Sequence, residues 1–319
     1  MMAEGGATHD EAPPPALDPF AARVLAMARA AKSDAVPDVA LRRAALESLA
    51  SLADEPCSAV THEDITLAGP ASPLAARVFT PKSGQQGTRM LYLHGGGWTA
   101  GGRATHSGFC GRLAAASGAE VYLLEYPLAP EQPFPAALEA AVAALQALHQ
   151  RHSGSLIVAG DSAGGTLALA LTGWALERAI APIARLLLIA PITDVAHLAA
   201  SRRDRASGWF VEADVIENDL HHYLHGVTPR DDPRVSPLLR TSFAGFPPVH
   251  LHLAQFDPFF DEGESLGERL QADGVPLHRT VHEGMIHYFW CLPRAIPRAR
   301  AAAEDMGMKL CADLRANGA

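Results

Sequence analysis

Two spacings of apolar residues organise the chain. Near its start, Phe20, Val24, Met27 and Ala31 recur at helical intervals, and Leu41, Ala45, Leu49 and Leu52 repeat the pattern after Pro37. That periodicity predicts two amphipathic helices ahead of any strand. The pattern then changes to short apolar runs separated by helical segments, at 77–80, 90–94, 121–126, 156–160, 186–190, 249–254 and 277–281. Runs of this kind predict buried strands of a mostly parallel central sheet flanked by helices on both faces, an α/β architecture.

Between Pro191 and Pro248 the alternation stops. The stretch carries Trp209, Phe210, a helical pattern from Ala213 to Leu224, and a turn-rich passage with Pro229, Pro233 and Pro237. It is too long for an ordinary connection, and long insertions in compact domains usually act as lids. With the two leading helices it is expected to form a helical cap over the C-terminal edge of the sheet. The predicted organisation is N-terminal helices contributing to the cap (1–55), the first part of the core (56–195), a cap insertion (196–245) and the second part of the core (246–319).

Composition narrows the function. Hydrophobic residues make up 48% of 319 and charged residues 19%, enough apolar material for one large core. The net charge of -9 and the scattering of the 26 Lys and Arg argue against nucleic acid or an anionic membrane as partner. No run of eighteen apolar residues predicts membrane insertion. The acidic stretch Met1 to Pro15 lacks the basic and apolar segments of a secretory signal. Cys57, Cys110, Cys291 and Cys311 form neither a C-x-x-C motif nor a metal-type pair. Together these features predict a cytoplasmic chain. Homodimerisation stays open.

The strongest chemical signal is Gly160-Asp161-Ser162-Ala163-Gly164, a G-x-S-x-G sequence between a buried strand and an apolar helix. A serine at such a turn is held out above the sheet at a helix N-terminus, where developing negative charge is favoured. A glycine-rich βα turn without chemistry is the alternative. His94-Gly95-Gly96-Gly97-Trp98 follows another apolar run, and its successive glycines expose backbone N–H groups to an oxyanion. Gly96, Gly97 and the N–H of Ala163 are the candidate donors, with Gly95 shaping the turn as part of the same oxyanion-hole loop. No G-K-[ST] follows, so a phosphate cradle is disfavoured.

A serine hydroxyl needs a base to remove its proton and a carboxylate to orient that base. The run 249–254 leads into Gln255-Phe256-Asp257-Pro258, and the run 277–281 leads toward Glu283-Gly284-Met285-Ile286-His287. Asp257 and His287 are therefore preferred. Asp261 and Glu262 are rival acids that suit the first turn of a helix, and His282 is a rival base nearer the strand.

These residues together resemble the bacterial hormone-sensitive lipase-like esterases of the α/β-hydrolase fold, in which serine, acid and histidine follow in this order. The likeness rests on HGGGW at 94–98, YPLAPE at 126–131, GDSAGG at 160–165, DPRVSPL at 232–238, DPFFDEG at 257–263 and GMIH at 284–287. It implies a serine carboxylesterase with Ser162 as nucleophile, acting on short-chain esters without a metal or organic cofactor. An amidase or peptidase with the same triad, or a non-catalytic ligand-binding relative, are the rival functions. Pro127, Thr166 and Tyr288 depart from the family's usual Arg, Asn and Gly, which bears on substrate preference.

Trp98, Trp209, Phe210 and Tyr288 are candidate pocket walls, with core packing the alternative for Trp209 and Phe210. His221 and His225 stand four apart on the predicted cap helix, but without H-E-x-x-H no metal site is expected. His250, His252, His278 and His282 are expected to share one face of neighbouring strands.

Overall fold

The structure is a computed structural model that describes residues 16–31, 38–83, 87–151, 154–180, 182–226 and 228–316. The opening stretch 1–15, read above as no secretory signal, lies outside them. Eight strands form one sheet: β1 (Val60–Leu67), β2 (Leu74–Pro81), β3 (Arg89–Leu93), β4 (Glu120–Leu124), β5 (Leu156–Asp161), β6 (Arg185–Ile189), β7 (Val249–Phe256) and β8 (Leu277–Ile286). Their order is β1-β2-β4-β3-β5-β6-β7-β8. The first two join antiparallel, and β4 through β8 run parallel.

The period-2 geometry of strands divides the apolar runs between two cores. Met90, Tyr92, Ile157, Ala159, Leu187 and Ile189 face one side, and Leu91, Leu93, Val158, Leu186, Leu188 and Leu251 the other. Helices α1 (Pro19–Ala30), α3 (Arg103–Ser117) and α9 (Arg298–Ala316) cover the first side. Helices α4 (Ala136–Arg151), α5 (Ala163–Arg178) and α8 (Phe260–Ala272) cover the second. Each fully buried Leu or Ile stabilises this sandwich by roughly 1.5–3 kcal/mol.

Seven strands lie where the apolar runs predict them. β1 is the addition, and its burial explains why no run marks it. Thr61, His62, Glu63 and Asp64 of this edge strand are exposed, leaving only Val60 and Leu67 buried. Backbone pairing to β2 and the Asp64–Arg77 ion pair at 2.7 Å hold it instead.

The two leading helices form as predicted, α1 and α2 (Val39–Ala53), because Asp18 and Asp38 cap them. The Asp18 carboxylate accepts from the N–H of Phe20 at 2.8 Å, and that of Asp38 from Leu41 at 2.8 Å. The insertion supplies α6 (Ala200–Asp204) and α7 (Ala213–Leu224). Arg29 of α1 donates to the carbonyl of Gly208, joining the leading helices to the insertion. Chain-distant pieces thus meet on one edge. The α7 helix ends at Leu224, and His225 caps it in the left-handed conformation, its N–H donating to the His221 carbonyl.

The expected histidine cluster is present. His250 stacks on His278 with ring centroids 4.7 Å apart, and His252 Nδ1 lies 3.2 Å from His282 Nε2. Burial pushes His282 down to about 4 and His252 well below its ordinary value. Burial, then repulsion from His106, likewise lowers His94 to about 4. Lowered in this way, His94, His252 and His282 are neutral in the fold but titrate near pH 6.5 once unfolded. Protons taken up only by the unfolded chain therefore destabilise the fold as pH drops from about 6.5 to about 4, by about 3 kcal/mol for fully buried His94. Melting curves across that window should fall for the wild type and fall less steeply for His282→Gln; parallel curves would contradict this account.

Candidate active site

Ser162 stands between β5 and α5 with φ 51 and ψ -122, a left-handed backbone that a serine adopts only under tertiary constraint. The flanking glycines make the turn feasible by close approach. A Cβ on Gly160 would lie 2.3 Å from the carbonyl oxygen of Gly164, and one on Gly164 would lie 1.9 Å from that of Leu93. The Ser162 N–H donates to Ile189 at 2.9 Å, and its carbonyl accepts from Gly165 and Ile192. The backbone is pinned on both sides, and the side chain lines a cavity at the C-terminal edge of the sheet.

Asp257 and His287 follow the ends of β7 and β8. Asp257 is buried, with Oδ1 accepting from the N–H of Phe259 at 2.8 Å and Oδ2 lying 2.6 Å from His287 Nδ1. A carboxylate on Nδ1 fixes the tautomer that carries its proton there, leaving Nε2 as the basic nitrogen. The imidazole is held edge-on by Phe259 and Trp290, with ring centroids 5.2 and 5.4 Å away. His287 and Ser162 line the same cavity.

The rivals are engaged elsewhere. His282 pairs with His252 and packs on Phe289. Asp261 accepts from the N–H of Ser201 at 2.7 Å, and buried Glu262 from that of Thr193 at 2.8 Å. Burial raises Glu262 to about 8, against the opposing pull of Arg202.

Gly96 and Gly97 line the cavity beside Ser162, with φ of 121 and 63. Ala163 is the first residue of α5, whose opening N–H groups have no intrahelical acceptor. Gly95 holds the turn. Its N–H donates to Asp161 Oδ1 at 2.8 Å, so it braces the loop rather than serving as a donor. Asp161 also accepts from Tyr92 at 2.8 Å and lies 3.3 Å from His106 Nε2. Burial opposes its ionisation, but His106, Tyr92 and His94 outweigh that and hold the carboxyl below its usual range.

The geometry finds close relatives. A family model for the α/β-hydrolase fold matches residues 90–291. The esterase LipI of Mycobacterium tuberculosis is 33% identical over 305 residues, 91% of this chain and 93% of its own. The carboxylic ester hydrolase LipN of the same organism is 32% identical over 270 residues, 79% of this chain and 70% of its own. The chain belongs to the hormone-sensitive lipase-like esterase family. A mutant α/β-hydrolase enzyme from the metagenome of Lake Arreo, a solved structure, matches with a TM-score of 0.88 at 30% identity, covering 93% of this chain and 98% of that one.

In this family member the cavity measures about 260 Å³. Of the expected walls, Trp98, Phe210 and Tyr288 line it. Trp98 is buried and stacks on Tyr223 at 4.6 Å, and Phe210 stacks on Tyr288 at 5.8 Å. Trp209 does not line the cavity. It stacks on Phe256 with the guanidinium of Arg29 5.8 Å from its ring, so the core-packing alternative applies to it. Leu46 and Leu49 of α2, Val215 and Ile216 of α7, Ile192 and Phe259 complete an apolar lining. Helical periodicity marked Leu49 as an inward position, but nothing in the sequence tied that face to the site.

The departures from the family pattern have local reasons. The Thr166 hydroxyl donates to the Ile192 carbonyl at 2.6 Å, tying the elbow to the loop after β6. Tyr288 has φ 67, the left-handed region that favours the family's usual glycine. Its hydroxyl donates to the Thr105 carbonyl at 2.9 Å, which helps to hold it there.

Among the described residues, one group could hold a metal ion: His250, His278 and Asp313, with ligand atoms within 4.8 Å of one another. The Arg185 Nε lies 2.5 Å from Asp313 Oδ2, so a guanidinium already neutralises that carboxylate. The group ties α9 to β6 and β7, away from the cavity.

Trp209→Ala should leave KM for a small ester unchanged and lower the melting temperature, whereas Phe210→Ala should change KM. Steady-state kinetics beside thermal melts check both, and a KM shift in Trp209→Ala alone would reverse the assignment of walls.

Proposed function

We propose that the chain is a serine carboxylesterase that hydrolyses short- to medium-chain esters through an acyl-enzyme intermediate. One observation carries this reading: Ser162, His287 and the N–H-bearing Gly96–Gly97 loop border a single apolar cavity, with Asp257 bonded to the far side of the imidazole. Ser162 Oγ attacks the ester carbonyl while His287 Nε2 takes its proton, and Asp257 stabilises the imidazolium. The N–H groups of Gly96, Gly97 and Ala163 receive the oxyanion, each contributing about 3 kcal/mol. The tetrahedral adduct collapses, His287 protonates the departing alkoxide, and the acyl group stays on Ser162. Water activated by His287 then releases the acid. Relatives named esterase and carboxylic ester hydrolase support this chemistry.

The cavity size supports small substrates, since small-molecule sites commonly span about 300–1,000 Å³ and this one lies below that range. The proposal includes a cytoplasmic location. Its support is that Cys57, Cys110, Cys291 and Cys311 are all free thiols.

A panel of p-nitrophenyl esters of increasing acyl length, with matching anilides, tests the reading. Turnover should peak at short chains, exceed that of the anilides, and fall by several orders of magnitude in Ser162→Ala and His287→Ala. Faster anilide cleavage would make the chain an amidase, and ligand binding without turnover a receptor-like relative. Because Tyr288 closes one wall from a backbone suited to glycine, Tyr288→Gly should move the optimum to longer acyl chains. An unmoved optimum would remove Tyr288 from the acyl wall.

A further inference from the structure

From the contacts behind the Gly96–Gly97 loop we infer that Arg42 and Asp219, one from each of two cap helices, are positioning residues for the oxyanion hole. The inference rests on the esterase reading above and extends it from the groups that touch the substrate to the groups that aim them.

In a trans peptide the C=O of one residue and the N–H of the next point in opposite directions. The direction of the Gly97 N–H is therefore set by whatever holds the Gly96 carbonyl. That oxygen accepts from Arg42 Nη1 at 3.1 Å, from the Ala100 N–H at 3.0 Å and from the Thr99 N–H at 3.3 Å. The loop's own turn supplies two of these donors, and the guanidinium supplies the charged one.

Arg42 is in turn fixed by Asp219, with Nη2 2.6 Å from Oδ2. The other carboxylate oxygen of Asp219 accepts from the Thr99 hydroxyl at 2.6 Å, so the acid grips the same loop. Its contact with the loop is close enough that a Cβ on Gly97 would lie 2.0 Å from Oδ2. Only glycine leaves room for the carboxylate against that backbone. The pair is almost dry, with side chains 16% and 3% exposed, so its attraction is little screened by solvent. Arg43 adds a second hold by donating to the Thr99 carbonyl at 2.7 Å.

A cation on a carbonyl oxygen also polarises the amide and strengthens its N–H as a donor. Arg42, Asp219, Gly96, Gly97 and Ser162 all border the cavity, so this network lies within the reacting site. Cap docking and transition-state stabilisation are thereby one event: when α2 and α7 close on the core, the donor peptide is set.

Arg42→Ala, Arg42→Lys and Asp219→Asn, assayed with p-nitrophenyl butyrate and inhibited with a trifluoromethyl ketone that forms a hemiketal oxyanion on serine, test the inference. Acylation and deacylation both pass through an oxyanion, so kcat should fall about 10- to 100-fold whichever step limits. KM should stay within about 2-fold, ketone inhibition should weaken by the same factor as kcat/KM, and Arg42→Lys should retain more activity than Arg42→Ala. Near-universal loss of folding in Arg42→Ala would leave Arg42→Lys and Asp219→Asn to carry the comparison. A rise in KM with kcat and ketone affinity unchanged would reduce the pair to a cap staple and overturn the inference. Absence of ester turnover in the wild type would instead refute the esterase reading, and this inference with it.

Discussion

The left-handed backbone at Ser162 is the constraint on which the site depends. Ser162 borders the cavity, and the buried carboxylate of the preceding Asp161 takes hydrogen bonds from Gly95 and Tyr92. One turn therefore presents the Ser162 hydroxyl and anchors the neighbouring glycine loop. The glycines at 160 and 164 exist to let that turn close, because any side chain there would collide with backbone that cannot retreat.

His287 is placed by a different device. The β7–β8 register slips between Ala254 and Phe256, so that Phe256 pairs with Ile286 at the very end of β8. Asp257 and His287 thus leave adjacent strands side by side, and a 2.6 Å contact joins them. The Gly284 carbonyl accepts from the N–H of Asp18 at 3.0 Å, which ties the start of α1 to the strand that carries the histidine. The first helix is therefore attached close to His287 as well as, through Arg29, to the insertion.

Much of this was legible in the chain because the signals are local. Buried parallel strands are continuous apolar runs, and the six parallel strands show as such, as does antiparallel β2. The elbow and the triple glycine are fixed by backbone geometry, which only a few residue types satisfy. What could not be read is what depends on contacts between distant elements. β1 is polar and exposed from Thr61 to Asp64 because an edge strand needs only pairing there, not burial. Trp209 and Phe210 are neighbours with the same composition signal, yet the positive φ of Phe210 turns the two rings to different sides. That Asp161, 66 residues away, is the partner of the Gly95 N–H is likewise a contact that no local pattern records. Arg42 and Asp219 stand in unrelated segments, and no spacing rule links them.

The two-part construction of the cap has a consequence for biosynthesis. The contact between Arg29 and Gly208 spans 179 residues, so at roughly 5–20 residues per second a ribosome supplies the second partner on the order of ten to forty seconds after the first. Helices as short as α1 and α2, of 12 and 15 residues, are marginal in isolation. They gain a lasting shape only when the later segments arrive. The start of α1 also binds the Gly284 carbonyl of β8, the last strand to be made, so the first helix stays unsupported until most of the chain has been synthesised.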